Sequence, residues 1–224
     1  MSLNLSQYKG VVFDLDDTLI DRKSAYNQFI EIMHDNFEIF KHFSKIKAQE
    51  YFWNLSPNNS FNIQKALEKI KSDFNEFNMN YEEFYEFYYD NMSRLVKPFN
   101  GVAKFLDELK TKNIKLGIVT NGGMHQYKKL KNTGLENKHD FVIASEIFGY
   151  EKPHKKIFIE TLRQLNLSPK EVENVVFIGD NPYTDIIGAQ SVGFKTIWIS
   201  MGREYPKDLR PPDYMISNFK ELRV

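Results

Sequence analysis

The sequence predicts an α/β fold, a doubly wound parallel sheet interrupted after its first strand by an all-helical insertion. Three observations carry this reading. Short apolar runs recur along the chain, segments with helical spacing lie between them, and one long interval contains no convincing strand. Continuous apolar runs, as opposed to alternating ones, mark strands buried on both faces, and strands that alternate with helices imply right-handed crossovers in a parallel sheet.

Taken in order, the expected strands are Gly10–Phe13, Lys115–Val119, Phe141–Ala144, Val175–Ile178 and Thr196–Ile199, with a weaker one at Tyr214–Ile216. Val102, Phe105, Leu106 and Leu109 fall at helical spacing, and Ile157, Leu162 and Leu165 do so more loosely. Gly134 and Gly193 stand where helix C-caps are expected. From Ser24 to Val96 the apolar spacing is helical throughout. Tyr26, Phe29, Ile30, Met33, Phe37 and Phe40 form one stripe; Tyr81, Phe84, Tyr85, Tyr88 and Met92 form another. Over half of the aromatic residues lie in this third of the chain, which a small helical bundle can bury. "NLSPNNSFN" (Asn54–Asn62) reads as a loop between helices, and "KPFNG" (Lys97–Gly101) as the return to the α/β rhythm. The expected organisation is residues 1–22 and 97–224 as an α/β core and 23–96 as the insertion.

Composition narrows the function. Of 224 residues, 42% are hydrophobic and 27% charged, with formal net charge zero, so the basic excess usual in a nucleic-acid binder is missing. The lack of cysteine excludes disulfides, thiolate metal sites and thiol nucleophiles. No apolar run approaches the ~18 residues of a membrane span, and "MSLNLSQYKG" lacks a secretory apolar stretch. A soluble, cytoplasmic protein is expected, with no membrane or nucleic-acid polymer as partner and no protein partner indicated.

Candidate chemistry gathers where ligands bind such sheets, beyond the carboxyl ends of the strands. The first strand runs into Asp14, Asp16 and Asp17, three carboxylates within four residues, whose repulsion must be absorbed by solvent or by a cation. The second ends at Thr120-Asn121-Gly122 and the fourth at Gly179-Asp180-Asn181, while Glu151-Lys152-Pro153 follows the third. Carboxylates without histidine spacing favour a hard, oxygen-ligated cation, with Mg²⁺ the usual one in phosphate chemistry. A lysine and a hydroxyl beside such a cation suit a phosphoryl group, and the backbone N–H groups of "TNGG" add an anion-binding turn. Without a thiol or a serine–histidine pairing, a carboxylate is the best candidate nucleophile.

These segments resemble the four motifs of the haloacid dehalogenase superfamily: "DLDDT", "VTNG", "EKP" and "GDNPYTD", in the family's order. The wording is most similar to the helical-capped subgroup that contains pyrimidine 5′-nucleotidases and small sugar-phosphate phosphatases. The resemblance implies a Rossmann-like core with an inserted all-helical cap domain. It further implies a Mg²⁺-dependent phosphatase that hydrolyses small phosphorylated metabolites through an aspartyl-phosphate, a nucleoside 5′-monophosphate or a sugar phosphate being the substrates in view. Asp14 would be the nucleophile and a metal ligand. Asp16 would be the acid and base, with its backbone carbonyl on the metal. Thr120, Asn121 and Lys152 would bind phosphate, Asp180 would ligate the metal, and Asp185 would sit behind, reaching the metal through water or fixing Lys152. An acid at position 16 favours phosphoryl transfer over dehalogenation, because a halide needs no proton. Asp17 stands where many relatives carry Gly, and Lys155 where many carry Pro.

Other readings compete with these. The acidic run could merely cap a turn, Thr120 could be an ordinary strand-end residue, and Lys152 a solvated lysine. The aromatic stripes are expected as core, the five histidines as surface or satisfied residues with His125 nearest to any substrate, and "KKLK" (Lys128–Lys131) as the wet face of a helix. The alternatives within the superfamily are a phosphomutase or a dehalogenase. Outside it stands a receiver-like phospho-acceptor module, disfavoured because the lysine precedes the last acidic motif and because of the large insertion.

Overall fold

A computed structural model describes residues 3–57 and 61–224. Met1 and Ser2 of the N-terminal stretch, and 58–60 at the centre of the expected Asn54–Asn62 loop, lie outside the described residues. The chain forms two compact units, 1–21 with 97–224 and 22–96.

The first unit is the α/β unit. Its strands are β1 (Leu3–Asn4), β2 (Gly10–Phe13), β3 (Lys115–Thr120), β4 (Phe141–Ala144), β5 (Val175–Gly179), β6 (Lys195–Ile199), β7 (Tyr214–Ile216) and β8 (Leu222–Arg223). Six of them make a parallel sheet in the order β4-β3-β2-β5-β6-β7. Every residue of β2 and β5 is buried, which is why their sequences show no polar alternation. β1 and β8 pair separately, Leu3 opposite Leu222. The sequence reading missed both, since two residues are too few to show a period.

Register fixes the site. Phe13 lies opposite Ile118 of β3 on one side and Ile178 of β5 on the other, so Asp14, Thr120 and Asp180 leave the sheet at one end. From β2 the chain order runs outward to β3 and β4 on one side, then restarts with β5 on the other. This is a topological switch point, where an open sheet leaves a crevice. Helices Val102–Thr111, His125–Asn132 and Lys155–Gln164 supply the main covering layers. Val12, Val119, Ile157, Phe158, Phe177 and Phe194 form a core on one face, with the Phe158 and Phe177 rings 5.4 Å apart. Phe219 stacks near Phe13 at 6.2 Å and meets Phe105 edge-on at 5.9 Å.

The second unit consists of helices Arg22–Asn36, Glu38–Lys41, Lys45–Asn54, Ile63–Asp73 and Tyr81–Leu95. Asn80 and Glu83 start the last of these with a reciprocal capping box, while Ser44 and Asn62 cap two others. Phe40, fully buried, meets Phe52 and Phe74 at ring separations of 5.2 Å each. Burying a side chain of this size stabilises by about 1.5–3 kcal/mol. The aromatic stripes are core here, with one correction: Tyr81 is exposed, because it opens its helix at the bundle's edge, and Phe84, Tyr88 and Met92 carry the buried face. Among the described residues no helix is long and apolar enough to cross a membrane.

Candidate active site

The turn after β2 carries the acids. Asp17 adopts φ 59°, a left-handed conformation that aspartate tolerates better than most residues and that a glycine would take without strain. Its N–H donates to Ile20 O at 2.8 Å, folding the acidic run back on itself. Asp14 and Asp16 thereby point to different surroundings.

Asp14 enters a buried acidic cluster. Asp14, Asp180 and Asp185 each offer one carboxylate oxygen, all within 4.8 Å of one another. One ammonium serves two of them directly: Lys152 Nζ donates to Asp14 Oδ1 at 2.6 Å and to Val119 O at 2.8 Å, and lies 2.7 Å from Asp185 Oδ1. Burial pushes Asp14 up to about 7 against the pull of Lys152, and the Asp185 and Asp16 charges add to the rise. Burial likewise raises Asp180 well above the carboxylate range, helped by Asp185, Asp14 and Asp17 and opposed by Arg203. For Lys152, burial pulls down, yet Asp14 and Asp185 more than offset it and hold the ammonium above its ordinary value. Burial leads both carboxyl shifts, and the crowding of negative charge around few positive groups adds to it. A buried set of hard oxygen donors short of positive charge fits a divalent cation of the magnesium type.

Asp185 reaches the cluster through a π turn, Pro182–Ile186, an irregularity frequent at functional sites. Asn181 N–H donates to Asp185 Oδ2 at 3.0 Å. Gly179 makes room: a Cβ there would meet Asp185 Cβ and Cγ at 2.6 Å.

Asp16 turns the other way, to helix His125–Asn132. Lys129 Nζ donates to its Oδ1 and Oδ2 at 2.7 and 2.8 Å, and Gln126 Nε2 donates to Oδ2 at 3.0 Å. The same Gln126 amide donates to Thr120 Oγ1 and to Asn121 O. Thr120 is buried at the end of β3. Asn121 spends its side chain on the Lys152 main chain, donating from Nδ2 to Lys152 O at 3.1 Å and accepting from Lys152 N–H at 2.8 Å. It braces the loop that carries the lysine, which leaves only its backbone N–H for an anion. Gly122 N–H already donates to Ser145 Oγ at 3.0 Å, so the "TNGG" turn offers fewer amides than its sequence suggests.

Two expectations need correction. Lys129, within "KKLK", is buried and ion-paired while Lys128 and Lys131 stay exposed. The histidines are not all surface or satisfied residues, His139 being the exception. His125 is buried against Gly122, and burial, then Lys129, lowers it to about 4. His139 has both ring nitrogens shielded without a hydrogen-bond partner. The sequence reading also missed Gln126, Trp198 and Arg203. Trp198 Nε1 donates to Asp180 O at 2.8 Å, and Arg203 Nη2 to Asp180 O and Oδ2 at 2.8 and 3.0 Å. The spacing of Gln126, Lys129 and Leu130 on one helical face was an available signal, since Leu130 marks that face as buried.

Residues 11–199 match the profile of the haloacid dehalogenase-like hydrolases. The chain belongs to this family. A hydrolase of this kind is an enzyme, and the matched residues span the loops described above. The chain is 28% identical to the glyceraldehyde 3-phosphate phosphatase of Pyrococcus furiosus, over 97% of this chain and 92% of the relative. It is 27% identical to the pyrimidine 5′-nucleotidase YjjG of Escherichia coli, over 96% of both. The crystal structure of a HAD phosphatase from Thermococcus onnurineus superposes with a TM-score of 0.68 at 28% identity, covering 95% of each chain.

Proposed function

We propose that this hydrolase is a Mg²⁺-dependent phosphatase of small phosphomonoesters that works through an aspartyl-phosphate on Asp14. The observation that carries the reading is the split environment of the two neighbouring acids. Asp14 sits against Lys152 inside the acidic cluster, whereas Asp16 is held apart on Lys129 and Gln126. One position suits a nucleophile beside a cation, the other a proton carrier.

Asp14 and Asp180, with the backbone carbonyl of Asp16, would hold the Mg²⁺, and Asp185 adds a further oxygen beside them. When bound, the ion neutralises the clustered carboxylates and draws charge from the transferring phosphoryl oxygens. A carboxylate oxygen of Asp14 forms the bond to phosphorus as the ester P–O bond breaks, and Asp16 supplies the proton that the departing oxygen takes. Asp16, now a carboxylate, accepts a proton from water. The water oxygen bonds to phosphorus, and the bond to Asp14 breaks. Lys152 and the Thr120 hydroxyl steady the phosphoryl oxygens. Gln126 donates to Thr120 Oγ1, so the threonine's own hydrogen is left for the substrate.

The names of the relatives, a triose-phosphate phosphatase and a nucleotidase, support a sugar phosphate or nucleoside 5′-monophosphate as substrate. Phosphate release across both groups, with and without Mg²⁺, tests the reading. Turnover of many equivalents that vanishes in Asp14→Asn is expected. Mg²⁺-dependent hydrolysis retained in that variant would remove Asp14 from its role.

A further inference from the structure

Lys129 lies in the middle of helix His125–Asn132 and is 4% exposed. An ammonium this deep needs an anion, since burying it alone is prohibitive. Asp16 meets that need with both carboxylate oxygens, from 113 positions earlier in the chain. Gln126, one turn before Lys129, adds a third hydrogen bond to Asp16 and ties the same carboxylate to Thr120. The contacts leave Asp16 little rotational freedom: two oxygens gripped by one lysine define the carboxylate plane, and the glutamine selects which oxygen faces Thr120. A single surface-type hydrogen bond would fix neither.

We propose that Lys129 is a positioning residue for the acid–base step, with Gln126 as its partner. Neither touches phosphorus. Lys129 orients the Asp16 carboxylate, so that the proton given to the leaving oxygen, and the one later taken from water, pass at the right place. A misplaced general acid or base loses most of its typical 10²–10⁴-fold contribution. The inference rests on the assignment of Asp14 and Asp16 above and goes beyond it, because nothing in that assignment requires a buried lysine on this helix.

Leaving groups separate this role from a merely structural one. p-Nitrophenolate departs without a proton, whereas the alkoxide of glycerol phosphate requires one. With p-nitrophenyl phosphate and Mg²⁺, Lys129→Met should release one equivalent of p-nitrophenolate per active site in a burst. A steady rate at least about 10²-fold below the parent then follows, because the water step still needs Asp16. KM should fall together with kcat, as the phosphorylated enzyme accumulates. With glycerol phosphate the variant should be slow from the first turnover and show no burst. Lys129→Gln, which keeps a donor without the charge, should show the same pattern at an intermediate rate, and it serves as the readout if Lys129→Met does not fold.

Asp16→Asn is the reference. Should it show the difference between the two esters while both Lys129 variants lose each ester equally or lose neither, the positioning role is overturned and the assignment of Asp16 stands. Should Asp16→Asn itself treat both esters alike, the assignment fails and this inference fails with it.

Discussion

Lys152 Nζ bridges Asp14 Oδ1 at 2.6 Å and Asp185 Oδ1 at 2.7 Å, with all three side chains buried. The lysine comes from the loop after β4, while the two acids follow β2 and β5. This bridge closes the ends of three segments on one charge, so the cluster is a structural element as well as a chemical one.

Lys152→Met should therefore destabilise the protein, not only silence it. Removing one partner of a buried ion pair leaves charge without compensation and typically costs about 3–5 kcal/mol. Urea unfolding in metal-free buffer reads this directly. An unfolding midpoint equal to that of the parent would mean that the bridge contributes nothing.

A divalent cation should stabilise the parent. Burial and mutual repulsion raise Asp14 and Asp180, and a bound cation relieves that strain. At 100 times Kd the linkage amounts to about 2.7 kcal/mol. Melting in EDTA and in Mg²⁺ should show a higher Tm in Mg²⁺ for the parent and a much smaller gain for Asp180→Asn. Equal gains in both would place the cation elsewhere.

Gly179→Ala should weaken the same site through sterics alone. The added methyl would occupy space held by Asp185, whose Cβ and Cγ would lie 2.6 Å away. Overpacking of this kind costs about 1–3 kcal/mol, and displacement of Asp185 would also loosen Lys152. Both a lower Tm and a reduced apparent Mg²⁺ affinity are expected; an unchanged affinity would show that Asp185 does not support the site.

His125 gives a pH signature. Its folded value of about 4 lies below the ordinary 6.5, so the unfolded chain binds the proton more readily. The resulting stability is complete above pH 6.5 and is lost as pH falls through 4, with a ceiling of about 3 kcal/mol. Asp14 works in the opposite sense, because its folded value is raised to about 7 and its contribution fades as pH rises. Comparing His125→Gln with the parent cancels the acidic cluster. The difference in unfolding free energy between the two should change across pH 4–6.5 and stay flat above it. A constant difference over the whole range would exclude burial of a neutral imidazole.

How much of this was legible without coordinates differs by feature. Five strands of the main sheet were, because burial writes itself into four to six consecutive residues; β7, three residues with Ile216 alone buried, left a weaker trace. β1 and β8 were not, since pairs of residues carry no period. Asp14, Thr120, Lys152 and Asp180 were each visible as chemistry at the end of a strand or in a following loop. Lys129 was misread, because a lysine on the buried side of a short helix looks like one on the wet side until its partner is known.

By itself, the sequence determined the fold class, the order of the motifs and the inventory of acids, lysines and hydroxyls available to a phosphoryl group. Local periodicity and turn chemistry suffice for that, for they act over a few residues. Only the tertiary structure decided which acid meets which cation: Asp14 and Asp185 on Lys152, Asp180 on Arg203, Asp16 on Lys129. Those pairings depend on sheet register and on which face each helix turns inward. Two of them, Asp14–Lys152 and Asp16–Lys129, join residues more than a hundred positions apart, and no local pattern records such relations.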